Sequence, residues 1–203
     1  MATRAGKWGT IPVPSNWQLS RPDLGDIPIY TNVKYPFPAT PPHLPSHNPT
    51  GVYRKVVKLP EGWKDDSLSV LFHGVSSAFY VYANGSFAGY GQDSCLPSEF
   101  DITRASRKSE DGKVAIEVVC VRWSDGSFLE DQDHWWLSGI HRSVEIVRRG
   151  KGQEVSELAT TCARNENHTR LYLHTRRTFS PTTAIILTPS SQPFSRFASL
   201  FVD

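Results

Sequence analysis

The sequence predicts an all-β protein, an antiparallel sandwich or barrel, and three observations support this prediction. Apolar and polar residues alternate with a period of two in short runs between residues 51 and 149. Glycine and proline separate these runs at intervals of roughly 10–20 residues. The 15 prolines and 14 glycines are scattered rather than repeated, which favours many turns and few long helices.

Five segments have the strand pattern, and they follow one another along the chain. They are VYRKVVKL (52–59), SLSVLFHG (67–74), SAFYVYANGSFAGYGQD (77–93), GKVAIEVVCVRW (112–123) and RSVEIVRR (142–149). In the third segment Asn84 and Gly85 separate two apolar runs. This pair is the strongest short-range signal of a hairpin, because both turn positions need a positive φ. SEFDITRA (98–105) fits either a strand end or a single helical turn.

The segment before these strands is rich in proline. Residues 11–52 contain ten prolines, which excludes a helix and most central strands. The segment is nevertheless too apolar for a disordered linker, since it contains Trp17, Ile29, Tyr30, Val33, Tyr35 and Phe37. We predict an extended arm along the surface of a sheet. Asn32 in this arm fits either a turn or a binding role.

Residues 121–142 contain an acidic loop flanked by tryptophans. The residues concerned are Asp125, Glu130, Asp131 and Asp133, with Trp123, Trp135 and Trp136. Indole rings favour partial burial beside polar groups, and carboxylates near such rings need a cation, a hydroxyl-rich ligand or backbone N–H donors. A sugar, a hard cation with oxygen ligands and a plain surface turn are all compatible with this pattern. The spacing excludes an EF-hand, because Val121 and Trp123 would occupy ligand positions.

Composition and charge exclude several functional classes. The formal net charge of +2 gives no electrostatic case for nucleic acid or a membrane surface as partner. Cys95, Cys120 and Cys162 have no metal-binding spacing, and their odd number favours a reducing compartment. The N-terminus has no apolar signal region, so we expect a cytoplasmic protein. A second acidic group, Asp93, Glu99 and Asp101, fits a hydrogen-bonded corner as well as a site.

The last quarter of the chain differs in composition from the rest. Residues 151–203 contain no tryptophan and 14 serines and threonines. TTAIILTP (182–189) is a β-prone run with no clear partner, which would favour association if it were exposed. We therefore expect an irregular C-terminal tail.

Several long motifs closely resemble the N-terminal part of the large β-galactosidases of glycoside hydrolase family 2. They are VPSNWQ (13–18), PIYTNVKYP (28–36), NPTGVYR (48–54), GVSSAFYVYANGSFAGYGQDSCLPSEFD (74–101) and RWSDGSFLEDQDHWWLSGIHRSV (122–144). The resemblance implies a jelly-roll, galactose-binding-like antiparallel β-sandwich over residues 11–150, the sugar-binding domain. Residues 1–10 would be a short lead, and residues 151–203 a divergent tail of frameshifted or alternatively spliced origin.

The resemblance also implies roles for four residues. Asn32 and Asp133 correspond to the family's galactose-binding residues, and Asp133 also to a ligand of Na⁺. Gln92 and Asp125 correspond to two ligands of a structural Mg²⁺. The other ligands of both ions belong to family segments with no counterpart here, so both sites would be incomplete. The variable positions His134 and Trp136 receive no role.

The family's activity is hydrolysis of terminal β-D-galactosyl residues by a retaining mechanism with two carboxylates. Its catalytic glutamates lie on a later barrel that has no counterpart in this sequence. The chain is therefore expected to supply the edge of a β-galactoside pocket and to be inactive alone. A non-catalytic galactoside-binding module and a poorly folded truncated fragment are the alternatives. The family is often homo-oligomeric, which leaves the oligomeric state of this chain open.

Overall fold

A computed structural model gives the structure of most of the chain. It describes residues 8–38, 40–109, 111–130 and 132–150, and the backbone of residues 158–165, 168–175 and 183–186. Within these ranges, no helix has the length and apolar character needed to cross a membrane.

Fourteen strands make up most of the described elements. They are β1 Ile29–Tyr30, β2 Thr50–Lys58, β3 Ser67–Phe72, β4 Val75–Ser76, β5 Ala78–Ala83, β6 Ser86–Gln92, β7 Ser98–Asp101, β8 Lys113–Val121, β9 Trp135–Trp136, β10 Gly139–Ile140, β11 Val144–Arg149, β12 Leu158–Asn165, β13 His168–Thr175 and β14 Thr183–Ile186. Two short α-helices, α1 Trp17–Ser20 and α2 Thr103–Arg107, and two 3₁₀ turns, Pro22–Leu24 and Asp125–Phe128, complete the list.

The strands form two four-stranded sheets, in the orders β2-β8-β5-β6 and β14-β11-β3-β7. Every neighbouring pair in both sheets is antiparallel. Within these two sheets as described, only β5 and β6 are neighbours both in the sheet and along the chain, so the other pairings join distant segments, as in a jelly roll. The predicted all-β sandwich is confirmed.

The hairpin predicted from Asn84 and Gly85 is present between β5 and β6. Both turn residues have positive φ, 47° for Asn84 and 72° for Gly85. The Asn84 side chain adds two bonds, because its Nδ2 donates to Ala105 O at 3.0 Å and its Oδ1 accepts from Ala115 N at 2.8 Å. The turn is therefore fixed to the neighbouring strand and to α2. The ambiguous segment 98–105 contains both a strand, β7, and a helical turn, α2.

The core lies between the two sheets and contains a cluster of three phenylalanines. Phe72, Phe79 and Phe100 contact one another with ring centroids 5.2 to 6.0 Å apart. Gly91 on β6 makes room for this cluster, because a Cβ atom there would lie 2.5 Å from the ring of Phe79. Alternating inward side chains on both sheets thus produce one continuous apolar core.

The N-terminal arm lies along β10 and the residue that precedes it. Ser15 N donates to Ile140 O at 2.8 Å and Trp17 N to Ser138 O at 3.2 Å, and the Trp17 side chain is buried. The proline content predicts no helix here, and this prediction is wrong for the single turn α1. Pro14 and Pro22 leave room between them for one turn, which needs no donor from either proline.

The tail contains strands in its described parts. β12 pairs with β13, and β14 pairs with β11 in the register Thr183↔Arg148 to Ile186↔Glu145. Residues 183–186 of the run at 182–189 therefore have a partner, which the sequence pattern did not reveal. The remainder of residues 151–203, and residues 1–7, lie outside the described residues, and the domain boundaries stay a prediction.

Candidate functional site

The short ladder between β1 and β9 brings the two predicted substrate-binding residues together. Ile29 is opposite Trp136 and Tyr30 is opposite Trp135. Asn32 lies in the bend that follows β1, and Asp133 lies in the bend that precedes β9. Both side chains are exposed, so they face solvent at the rim of the sandwich rather than the core.

Tyr30 is the point at which these two residues meet. Its hydroxyl donates to Asp133 Oδ1 at 2.5 Å, and its ring contacts that of Trp135 with centroids 5.7 Å apart. The pKa of Tyr30 is raised above 10.0, chiefly by the hydrogen bond to Asp133, while a hydrogen bond with the Asn32 side chain lowers it. The sequence motifs predict no role for Tyr30. Its position two residues before Asn32, on the same side of an extended segment, was the available signal.

These contacts predict opposite pKa shifts in two variants. Asp133→Asn should lower the pKa of the Tyr30 phenol, because the phenolate no longer faces a carboxylate. Asn32→Ala should raise it, because a hydrogen bond that stabilises the phenolate is lost. NMR of the Tyr30 ring carbon that bears the hydroxyl, followed through an alkaline titration, measures both shifts. Tyr90 is the internal control and should not change, and shifts of the same sign in the two variants would contradict this geometry.

An aromatic cluster holds the arm against the acidic loop. Tyr35 donates its hydroxyl to Phe128 O at 2.7 Å, and Phe37 contacts Trp123 with centroids 4.8 Å apart. Trp136 Nε1 donates to Thr31 Oγ1 at 2.7 Å. Trp123 and Trp136 are each only 6% exposed, whereas Trp135 is 56% exposed. Of the three tryptophans expected to flank the carboxylates, only Trp135 presents a ring to solvent.

The carboxylates of the acidic loop have separate partners. Glu130 accepts from Ser94 N at 2.7 Å and from Ser94 Oγ at 2.6 Å, Asp125 bonds Gln92, and Asp133 bonds Tyr30. Asp131 lies outside the described residues. Within the described residues, no group of three or more His, Cys, Asp or Glu side chains is placed to hold a metal ion.

Gln92 and Asp125, the predicted magnesium ligands, are in direct contact. Gln92 Nε2 donates to Asp125 Oδ1 at 2.6 Å, and Gln92 Oε1 accepts from the Tyr90 hydroxyl at 2.8 Å. Gly126 allows this approach, because a Cβ there would lie 2.6 Å from Gln92 Nε2. Magnesium takes oxygen ligands, so the amide would have to turn to present its oxygen. Gln92 and Asp125 would then supply two of the about six oxygen ligands that Mg²⁺ takes.

A cavity of about 850 Å³ lies between the acidic loop and the corner after β6. The residues that line it include Ser94, Cys95, Glu130, His134 and Trp135. The corner itself is built by hydrogen bonds. Asp93 Oδ1 accepts from the backbone N–H groups of residues 95 and 96 at 2.9 and 3.0 Å, and Asp101 Oδ1 accepts from that of residue 103 at 2.8 Å. Glu99 pairs with Arg149. These bonds favour the structural interpretation of the second acidic group.

A family model described as "Glycosyl hydrolases family 2, sugar binding domain" matches residues 5–150. The chain belongs to glycosyl hydrolase family 2. The family resemblance indicated by the motifs is confirmed.

Curated β-galactosidases are similar to the same part of the chain. The β-galactosidase of Psychromonas ingrahamii is 55% identical over 142 residues, which cover 70% of this chain and 13% of that enzyme. The β-galactosidase of Alteromonas mediterranea is 46% identical over 160 residues, covering 79% of this chain and 15% of that enzyme. The chain thus spans 13% to 15% of the length of these two relatives.

Among solved structures, a β-glucuronidase from Ruminococcus gnavus in complex with D-glucaro 1,5-lactone is similar at a TM-score of 0.46 and 14% sequence identity. The similarity covers 64% of this chain and 25% of that one.

Proposed function

We propose that residues 11–150 form the sugar-binding domain of a β-galactosidase and supply one edge of the pocket that holds a β-galactoside. In this proposal Asn32 and Asp133 hydrogen-bond hydroxyls of the galactosyl ring. The acid and the nucleophile of the retaining reaction belong to the family's catalytic barrel. The chain alone therefore binds without accelerating hydrolysis, since substrate binding alone does not lower the barrier of the chemical step.

One observation carries this proposal. An amide, a phenol hydroxyl and a carboxylate, those of Asn32, Tyr30 and Asp133, converge beside the exposed ring of Trp135. A pyranose offers matching chemistry, because its hydroxyls both donate and accept hydrogen bonds while its C–H face packs on an aromatic ring. The alternation of polar and aromatic groups fits a sugar better than it fits a compact cation.

Three of the candidate site residues bear on the metals that the family implies. Asp133 would contribute one carboxylate ligand to Na⁺, and Gln92 and Asp125 two oxygen ligands to Mg²⁺. Bound cations of this kind supply positive charge near a sugar or a loop. Cys95 and Cys120 are both free thiols, and this supports a reducing, cytoplasmic location as part of the proposal.

A chimera tests the proposal. Residues 11–150 of this chain replace the matching segment of the Psychromonas ingrahamii β-galactosidase, to which the chain is 55% identical. We expect the chimera to hydrolyse o-nitrophenyl β-galactoside with a kcat/KM within about tenfold of the parent, a difference of about 1.4 kcal/mol. The 203-residue chain alone should give no hydrolysis.

Size-exclusion chromatography provides the control, since a chimera that assembles correctly elutes with the parent enzyme. A correctly assembled chimera without activity would contradict the proposal. Hydrolysis by the isolated chain would also contradict it, because the reaction would then need a catalytic pair within these 203 residues.

A further inference from the structure

A buried ion pair joins the arm to the end of β8. Arg122 Nη1 donates to Asp26 Oδ1, and the two side chains are 2% and 15% exposed. The guanidinium carbon of Arg122 lies 4.8 Å from the centroid of the Trp123 ring. Burying two charges is costly unless their remaining hydrogen-bonding groups also find partners. The other hydrogen bonds of Asp26 and Arg122 show which segments of the chain this ion pair connects.

Asp26 is fixed from the side of helix α1. Its Oδ2 accepts from Trp17 Nε1 at 2.6 Å and from Gln18 Nε2 at 2.9 Å. The Gln18 side chain is itself buried, and its Oε1 accepts from Ser138 N at 2.9 Å. The two donors from α1 therefore hold Asp26 in place without any contribution from Arg122.

Arg122 connects Asp26 to the segments that contain β1 and β9. Its Nη2 donates to the carbonyl of Ile27 at 3.1 Å and to the carbonyl of Trp136 at 3.1 Å. Ile27 lies two residues before β1, and Trp136 is the last residue of β9. One nitrogen atom thus contacts the backbone of both segments.

The ladder between β1 and β9 consists of only two residue pairs. So short a ladder does not hold two strands in register by itself in water. We infer that Arg122, held by Asp26, is a positioning residue that fixes the spacing between the strand leading to Asn32 and the strand following Asp133. Its hydrogen bonds to Ile27 and Trp136 go to backbone carbonyls, so it acts on both strands through the backbone.

This inference rests on the proposed function where it concerns sugar binding. Groups that bind one ring must be held within about 0.5 Å of their working positions, so a loosened ladder weakens binding even when every binding side chain remains. We call the contacts of Arg122 with the carbonyls of Ile27 and Trp136 the clamp. Its effect on the backbone can also be measured without any sugar.

Arg122→Lys tests the clamp, because lysine keeps the positive charge but loses the planar fork that reaches both carbonyls. In the 203-residue chain we expect amide hydrogen exchange at residues 29–30 and 135–136 to quicken by about tenfold relative to β3 and β5. We expect the dissociation constant for methyl β-D-galactoside to rise by about tenfold. Asp26→Asn, which keeps the side-chain shape, should change both in the same direction.

Arg148→Lys is the matched control. Arg148 Nε donates to Asp66 Oδ2 at 2.5 Å and its guanidinium lies over the Trp63 ring at 5.7 Å, so the pair has the same chemistry at a different place. This variant should lower the melting temperature and leave the dissociation constant unchanged. The contrast separates a positioning role from a general loss of stability.

If the unmodified chain binds the galactoside and both Arg122→Lys and Asp26→Asn bind equally well, the inference is overturned. If the unmodified chain shows no binding, the proposed function fails, and amide hydrogen exchange alone then tests the positioning role of Arg122. Faster exchange confined to residues 29–30 and 135–136 then supports the clamp, and uniform exchange rejects it. Should Arg122→Lys not fold, Asp26→Asn decides by the same two measurements.

Discussion

Asp133→Asn is expected to lower the kcat/KM of the chimeric β-galactosidase by about 10²–10³-fold, the cost of removing one charged contact that strengthens toward the transition state. Asparagine keeps the shape of the side chain, but it loses the negative charge and part of the acceptor capacity. The Asp133 carboxylate is exposed and already bonds the Tyr30 hydroxyl at 2.5 Å, so its orientation toward a ligand is set before binding. Hydrolysis rates over a range of substrate concentrations give kcat and KM separately.

Asp111→Asn is the matched control for this prediction. Asp111 is also an exposed aspartate, but it lies before β8 and pairs with Lys113 at 2.8 Å. Its replacement should leave kcat/KM unchanged. An Asp133→Asn chimera with the activity of the unsubstituted chimera would mean that this carboxylate does not contact the substrate.

Phe79→Ala is expected to reduce the free energy of unfolding by about 3–5 kcal/mol, the usual cost of removing a buried phenyl ring. Phe79 is 1% exposed and contacts Phe72 and Phe100 with ring centroids 5.2 and 5.6 Å apart. Gly91 opposite it has no side chain to fill the space. A domain of this kind has a total stability of about 5–15 kcal/mol, so one substitution removes a large share of it. Urea denaturation followed by tryptophan fluorescence measures the change.

Phe87→Ala makes the same chemical change on the other side of the same hairpin. Phe87 is 60% exposed and contacts Tyr82 at 5.4 Å between centroids. Its loss should cost less than about 1 kcal/mol. Equal losses in the two variants would show that Phe79 does not lie in the core between the two sheets.

The strands of the sandwich could be predicted because their signal is local. Alternation with period two and the pair Asn84-Gly85 depend on neighbouring residues alone, and the hairpin between β5 and β6 follows from them. The pairing of β14 with β11 could not be read in this way. A sheet partner distant in the chain leaves no mark on a short β-prone run.

The candidate site, too, could be predicted from the sequence only in part. Asn32 and Asp133 were predicted from the family resemblance. Tyr30, which contacts both, was not predicted, because a tyrosine in an apolar arm is usually a packing residue. Burial of Trp123 and Trp136 but not of Trp135 depends on the arm folding over the loop, which no local pattern encodes. The ion pair between Asp26 and Arg122 joins residues 96 positions apart, so only the fold brings it together.

The most direct test of the pocket edge is a titration of the unmodified chain with methyl β-D-galactoside, followed by amide proton–nitrogen NMR. We predict saturable shifts at Tyr30, Asn32, Asp133 and Trp135, including the side-chain amide of Asn32, with no saturable shifts for methyl β-D-glucoside at the same concentrations. Shifts confined to other parts of the sandwich, or none up to saturation with the sugar, would contradict the assignment of these residues to a galactoside.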